Sequence, residues 1–401
     1  RNTRMSVQAL SADGSTVTYT DRRRWLWSLS LFWPLMPVIS CWMAASSGQV
    51  AWFWGTLVVW YGLVPIIDHL LPTDGSNPPE EVVPLLEKDS YYRVLTYLTV
   101  PIHYFTLIYT AYIVGTQNLP WHAVLGLALS VGVVNGLAIN TGHELGHKKT
   151  KLERWLAKIV LAVVGYGHFL IEHNRGHHVD VATPIDPASA KMGQSIYGFA
   201  SWEIPNAVRR AWTSEKSRLA RQGKGGPWTL ENEVLQPTLM TIVLYGGLLL
   251  AFGWIMVPFL FLQALWGWFG ILTSANYVEH YGLLRQKLES GRYEQCQPHH
   301  SWNSNHIMSN LILFNLQRHS DHHANATRRY QCLRNFDNLP ELPSGYPLMF
   351  AIALIPPLWF AIMDKRVVAW ADGDFSKLNV LPSMKERLIQ RYAPGQESQA
   401  V

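Results

Sequence analysis

Six stretches of the chain are almost continuously apolar, and the segments between them are polar and rich in histidine, arginine and proline. "WLWSLSLFWPLMPVISCWMAA" (25–45), "VAWFWGTLVVWYGLVPII" (50–67), "VLTYLTVPIHYFTLIYTAYIVG" (94–115) and "WHAVLGLALSVGVVNGLAINTG" (121–142) each approach the length of a helix that crosses the hydrocarbon of a bilayer. Two more, 235–257 and 258–279, are parted by a short turn near Pro258. The pattern predicts six transmembrane helices. A signal peptide does not fit the first stretch, which outruns a typical signal core and lacks a small-residue cleavage site after it. Arg22, Arg23 and Arg24 precede that stretch, so the positive-inside rule puts the N-terminus in the cytoplasm, and six crossings return the C-terminus there.

Two further apolar segments are not expected to cross. A full span over 152–171 would strand the histidines that follow it on the wrong side, so a re-entrant or interfacial helix is expected. The segment 347–363 is short and broken by Pro356 and Pro357, which suits an interfacial hairpin. The expected organisation is a flexible lead (1–24), spans one to four (25–149), a cytoplasmic segment (150–234), spans five and six (235–285) and a cytoplasmic C-terminal segment (286–401). The fold class is thus an all-α integral membrane protein, six transmembrane helices under a cytoplasmic histidine-rich cap. The residues before Met5 are expected to be foreign to the natural chain.

Composition agrees. Only 15% of the 401 residues are charged and 48% are hydrophobic, against a charged share of about 25% in soluble domains. The net charge of +5 is concentrated at 208–226, where six basic residues from Arg209 to Lys224 meet one acid, Glu215. That segment reads as a solvated loop or as a docking face for an acidic partner, and nucleic acid is not expected. Cys41, Cys296 and Cys332 match neither a disulfide framework nor a C-x-x-C site.

The histidines carry the chemistry. Of 16, eight fall in three short blocks: "HELGH" (His143, His147), "HNRGHH" (His173, His177, His178) and "HSDHH" (His319, His322, His323); a ninth, His280, ends the sixth span. Residues three and four apart share a helix face. His143 with His147, His173 with His177, and His319 with His322 and His323 are therefore each expected to converge, with His178 turned to a second point. All nine reach one side of the membrane under the six-span count. His69, His103 and His122 read as packing residues, and His168, His299, His300 and His306 as weaker ligand candidates.

H-E-x-x-H alone suggests a zinc protease with Glu144 as general base. A zinc hydrolase needs three protein ligands; nine suit two metals with open positions, and imidazole by itself does not choose among zinc, copper, iron and nickel. Under that reading Glu144, Glu172, Glu279, Asp180, Asp186 and Asp321 are candidates to accept the second ring N–H of a ligating histidine.

"HELGH", "HNRGHH", "LQRHSDHHA" and above all "NYVEHYGLLR" resemble the signature blocks of the membrane-bound alkane 1-monooxygenases, within the integral-membrane fatty acid desaturase and hydroxylase superfamily. The resemblance runs from the first span to about residue 350. It implies a non-haem diiron site that activates O2 as co-substrate and hydroxylates the terminal carbon of n-alkanes. The implied ligands are His143, His147, His173, His177, His178, His280, His319, His322 and His323. It also implies electrons from rubredoxin, itself reduced by an NAD(P)H-dependent reductase, since the chain has no haem-attachment, dinucleotide-binding or rubredoxin-type motif of its own. Residues 209–224 with Arg318, Arg328, Arg329 and Arg334 are the expected landing face, and the tail "APGQESQAV" is compatible with a linker to a fused rubredoxin. A desaturase or an aromatic-methyl hydroxylase with the same metals is the near alternative. An alkane has no polar handle, so an apolar tunnel must select it by length, with Trp60 as the expected ruler. The bacterial inner membrane is the expected location, with the metal site on the cytoplasmic side.

Overall fold

The computed structural model describes residues 6–393; Met5 and the four residues before it, and all but the first residue of the "APGQESQAV" tail, lie outside the described residues. Among the described residues, six helices are long and apolar enough to cross a membrane: α1 (Arg24–Ser47), α2 (Val50–Leu70), α3 (Ser90–Thr116), α4 (Trp121–Gly146), and, after a cap segment, Leu235–Phe252 and Met256–His280. This is a multi-pass, helical membrane architecture.

α4 is the central post. Its apolar window is 83% buried inside the protein, whereas that of Leu235–Phe252 is 11% buried and faces outward. Small residues let neighbours close on α4: a Cβ on Gly136 would meet Ile271 at 2.5 Å, and one on Gly142 would meet Leu161 at 2.7 Å. Membrane helices pack by such close approach, because lipid offers no hydrophobic drive between them. Two buried amides on the post donate to neighbouring segments, Asn135 Nδ2 to Gln263 Oε1 (3.0 Å) and Asn140 Nδ2 to the Leu313 carbonyl (2.7 Å).

Between the fourth and fifth spans, α5 (Lys151–Ala162) starts at a Thr150 cap that accepts the Glu153 N–H. At 12 residues it is too short to cross, in keeping with the interfacial expectation. A helical turn, Phe169–Glu172, leads into a π-helical turn, His173–His177, and then comes α6 (Ile196–Arg221). The basic stretch 208–226 is therefore mainly the C-terminal half of a helix and not a loop. The spans continue as α7 (Leu235–Phe252) and α8 (Met256–His280); α8 carries a π-helical stretch over Gly267–Thr273. The third histidine block forms α9 (His319–Ala324). Last come α10 (Tyr346–Ala353) and α11 (Pro356–Trp370), bent 119° apart at the Pro356–Pro357 break. Tyr346, Phe350, Trp359 and Met363 of this hairpin share a core with Tyr277 and Tyr281 at the end of α8.

The N-terminal lead is not loose over its described part. β1 (Val7–Leu10) and β2 (Thr16–Tyr19) pair as an antiparallel hairpin in the register Val7↔Tyr19 to Leu10↔Thr16. Alternation explains it: Val7, Ala9, Val17 and Tyr19 pack on a core that holds Trp27, Tyr92 and Tyr330, and Gln8, Leu10, Thr16 and Thr18 on the other face are exposed. Asp21 then anchors the entry to α1, accepting from Trp27 Nε1 (3.1 Å) and the Tyr92 hydroxyl (2.7 Å).

Candidate metal centre

The nine histidines of the four blocks meet in two adjoining groups. His143, His147, His173, His178 and His322 form one; His177, His280, His319 and His323 form the other, and within each group the ligand atoms lie within 4.8 Å of one another. The first is a ring of Nε2 atoms: His143 to His322 at 2.8 Å, His147 to His173 at 3.1 Å, His173 to His178 at 3.0 Å and His178 to His322 at 3.2 Å. In the second, His319 and His323 meet at 2.8 Å, while Nε2 of His177 and of His280 is buried with no partner. The groups abut where the His178 and His323 rings meet, tilted, with centroids 4.4 Å apart.

Local backbone geometry sets this division. His143 and His147 end a regular helix, so residues four apart share a face and both serve the first group. His173 and His177 also stand four apart, but they sit on a π turn, where the repeat lengthens toward five. The partner of His173 is accordingly His178, and His177 turns to the second group. On α9, His319 and His323 stay together while His322 crosses to the first group. The expectations that His173 joins His177, and that all three α9 rings converge, are corrected by these placements.

The donor set fits a metal. Burial, reinforced by mutual repulsion, holds His147, His173, His319, His322 and His323 well below the ordinary imidazole range, so these rings are neutral with lone pairs free. Crowded Nε2 lone pairs and two orphaned, buried Nε2 atoms have no satisfactory pairing among themselves, and a cation supplies it. His177 is oriented from behind: its Nδ1 meets Asp186 Oδ2 at 2.8 Å, and Asp186 also accepts from Ser189 Oγ (2.6 Å) and Arg210 (3.2 Å). Burial opposes the Asp186 charge, but His177, Ser189 and Arg210 together push its pKa down to about 2. His280 is oriented by its Nδ1–H, which donates to the His300 carbonyl at 3.1 Å.

The other carboxylates are placed differently. Glu144 pairs with Lys148 at 3.0 Å and accepts the Tyr330 N–H at 3.4 Å, so its carboxylate is engaged by these partners and joins neither histidine group. Asp180 pairs with Arg210 (2.8 Å), Glu172 faces the same guanidinium (3.6 Å), and Asp321 holds Arg334 (2.8 Å). Glu279 stands on the ligand side of a ring, its Oε2 3.2 Å from His319 Nε2 and its Oε1 accepting the Tyr346 hydroxyl at 3.0 Å. Tyr346 had no signal in the sequence, because it arrives from the C-terminal hairpin.

Among the weaker candidates, His168 stacks on Tyr166 at 4.1 Å, and His306 meets Ser304 at 2.7 Å. His299 and His300 gather with Glu294. His300 Nδ1 accepts the Gln297 N–H at 2.8 Å, so its neutral ring carries the proton on Nε2, 3.3 Å from Glu294, with no lone pair left for a metal.

An apolar cavity of about 40 Å³ opens onto the rings of His143, His173 and His319, and Glu279 also faces it. Leu137, Phe169, Ile271 and Phe350 supply its apolar walls. Trp60 does not line it, but is fully buried in the core that includes Leu137, Ile271 and Phe350.

The fatty acid desaturase family model matches residues 119–353, which hold all nine histidines. The chain is 58% identical over 388 residues to alkane 1-monooxygenase 1 of Alcanivorax borkumensis, covering 96% of each chain. It is 57% identical over 378 residues to the alkane 1-monooxygenase of Pseudomonas putida, covering 94% of each. A xylene/toluene monooxygenase hydroxylase component from Pseudomonas putida is more distant, at 28% over 350 residues, 82% of this chain and 87% of that one. Two histidine groups on a helical membrane bundle, read with these similarities, establish that the chain belongs to the alkane 1-monooxygenase family of the membrane fatty acid desaturase superfamily.

Proposed function

We propose that this protein is a diiron monooxygenase that converts medium-chain n-alkanes to 1-alkanols, using O2 and two electrons from rubredoxin, itself served by an NAD(P)H-dependent reductase. The observation that carries the reading is the apolar cavity ending on rings of both histidine groups. His143, His147, His173, His178 and His322 would hold one iron, and His177, His280, His319 and His323 the other. When bound, the irons supply the activation of O2 needed to insert one oxygen atom into a terminal C–H bond.

The chain's own residues do the rest. Leu137, Phe169, Ile271 and Phe350 exclude water from the reacting end and orient an alkane by shape, each buried methylene contributing about 0.8 kcal/mol. Asp186 keeps His177 in the tautomer that presents Nε2. Glu279, held by Tyr346, is the one carboxylate at the meeting of cavity and rings and is suited to hold a proton there. Trp60, in the same core as Leu137, Ile271 and Phe350, is the proposed chain-length ruler, and Trp60→Ser is expected to extend the accepted range; an unchanged product profile removes it. Arg22, Arg23 and Arg24, at the start of α1, favour a cytoplasmic metal side in the bacterial inner membrane.

The test is product analysis with purified protein, rubredoxin, its reductase, NADH, O2 and octane. The expected product is 1-octanol, with two irons per chain by metal analysis. An alkene would mean desaturation, and a chain without stoichiometric iron would remove the reading.

A further inference from the structure

The nine rings are unequally sheltered. All four of the second group are buried, whereas His147 and His178 of the first keep part of their surface exposed. The cavity reaches the groups through His143, His173 and His319, so it shares no ring with this exposed edge. Next in the chain to this edge are Val179, which follows His178 and is 62% exposed, and Ala324, which is exposed and follows His323, whose ring lies 4.4 Å from that of His178. Around it the surface is cationic. Lys149 and Lys151 are exposed, and among the described residues neither has a carboxylate partner. Lys149 lines a recess of about 350 Å³ beside Gly146 and Asn174, the chain neighbours of His147 and His173, in which Arg154 and Arg175 are both paired with Glu233.

The face expected from the sequence is less suitable. Arg318 is buried and donates to the carbonyls of Leu333 (2.7 Å) and Asp74 (2.8 Å). Arg328, Arg329 and Arg334 are paired with Glu80, Glu153 and Asp321, and on α6 Arg210 and Arg218 are paired with Asp180 and Glu215.

We propose that the His147–His178 edge, with Val179 and Ala324 at its centre and Lys149 and Lys151 on its rim, is where an acidic one-electron donor protein docks, so that electrons enter by the five-histidine group. This rests on the functional reading above. A small apolar centre inside a charged rim is the usual anatomy of a specific contact, and unpaired cations steer an acidic partner. Tunnelling falls steeply with distance, which favours the exposed ring edges. Each docking oxidises one rubredoxin from ferrous to ferric. Two dockings, with two protons from water, balance R–CH3 + O2 + 2e− + 2H+ → R–CH2OH + H2O.

The test is the affinity of purified rubredoxin for the iron-loaded protein in nanodiscs, at low and raised salt, with iron content checked for every variant. Val179→Glu and the pair Lys149→Glu/Lys151→Glu are each expected to weaken binding by about tenfold or more, and the lysine pair to flatten the salt dependence. The triple variant Arg209→Glu/Lys216→Glu/Arg221→Glu on α6 is expected to bind like wild type. Normal binding by both edge variants with iron retained, or loss of binding in the α6 variant alone, overturns the proposal. The octane assay separates the two readings: 1-octanol from wild type with unaffected edge variants sinks only the docking site, and edge-dependent binding without 1-octanol sinks only the activity.

Discussion

The HELGH turn and the HNRGHH turn contain the same pair, two histidines four residues apart, and use it in opposite ways. His143 and His147 close a regular helix and serve one group; His173 and His177 sit on a π turn and serve two. A one-residue change in helical repeat thus decides which histidine group a ring joins. Spacing is informative only when the local period is known. Two further π turns bear on the same region, Val59–Leu63 holding Trp60 and Gly267–Thr273 holding the cavity residue Ile271.

The sharpest way to break the comparison is to remove one ring from each group. His178→Ala and His177→Ala are both expected to abolish alkane hydroxylation, but to lose different iron components in Mössbauer spectra; identical spectra would mean that the two groups are one site. A smaller effect is expected from Asp186→Asn, which leaves every ligand in place and removes the carboxylate behind His177. Metal affinity or activity should fall about 10- to 100-fold, and the component lost by His177→Ala should be the one perturbed. Glu144→Gln sharpens the contrast on the HELGH side. It breaks a buried pair with Lys148 and should cost stability, about 3–5 kcal/mol for a pair of this kind, seen as a lower Tm with iron stoichiometry retained.

The smallest effect concerns how α6 is fastened beside the second block. Burial raises the Glu215 pKa, but Arg218, the Glu233 N–H and Arg175 outweigh it and bring it down to about 2. Glu233, itself facing Arg154, Lys158 and Arg175, completes the surroundings. A depressed carboxylate stabilises the fold above its unfolded value of 4.5 and loses that contribution as pH falls toward about 2. The Tm gap between wild type and Glu215→Gln should be constant near neutrality and narrow through that acidic window; a gap independent of pH would remove the attribution.

Much of this was legible without coordinates. Long apolar runs dictate spans because hydrocarbon tolerates no unpaired backbone, and four blocks with nine imidazoles announce metal chemistry before any contact is known. The flexible N-terminal lead misread a hairpin whose buried face depends on Trp27, Tyr92 and Tyr330 from elsewhere. The basic face misread Arg318, whose acceptors lie at Leu333 and Asp74.

What the chain determined by itself is local and periodic: which segments enter the membrane, which residue types can ligate, and which family they resemble. Tertiary structure alone decided how the nine rings divide, that Asp186 rather than Glu144 orients one of them, that Tyr346 steadies Glu279, and which two rings keep part of their surface exposed. Those choices depend on hydrogen bonds slipping into π turns under packing pressure and on contacts between distant segments, and neither leaves a fixed spacing along the sequence.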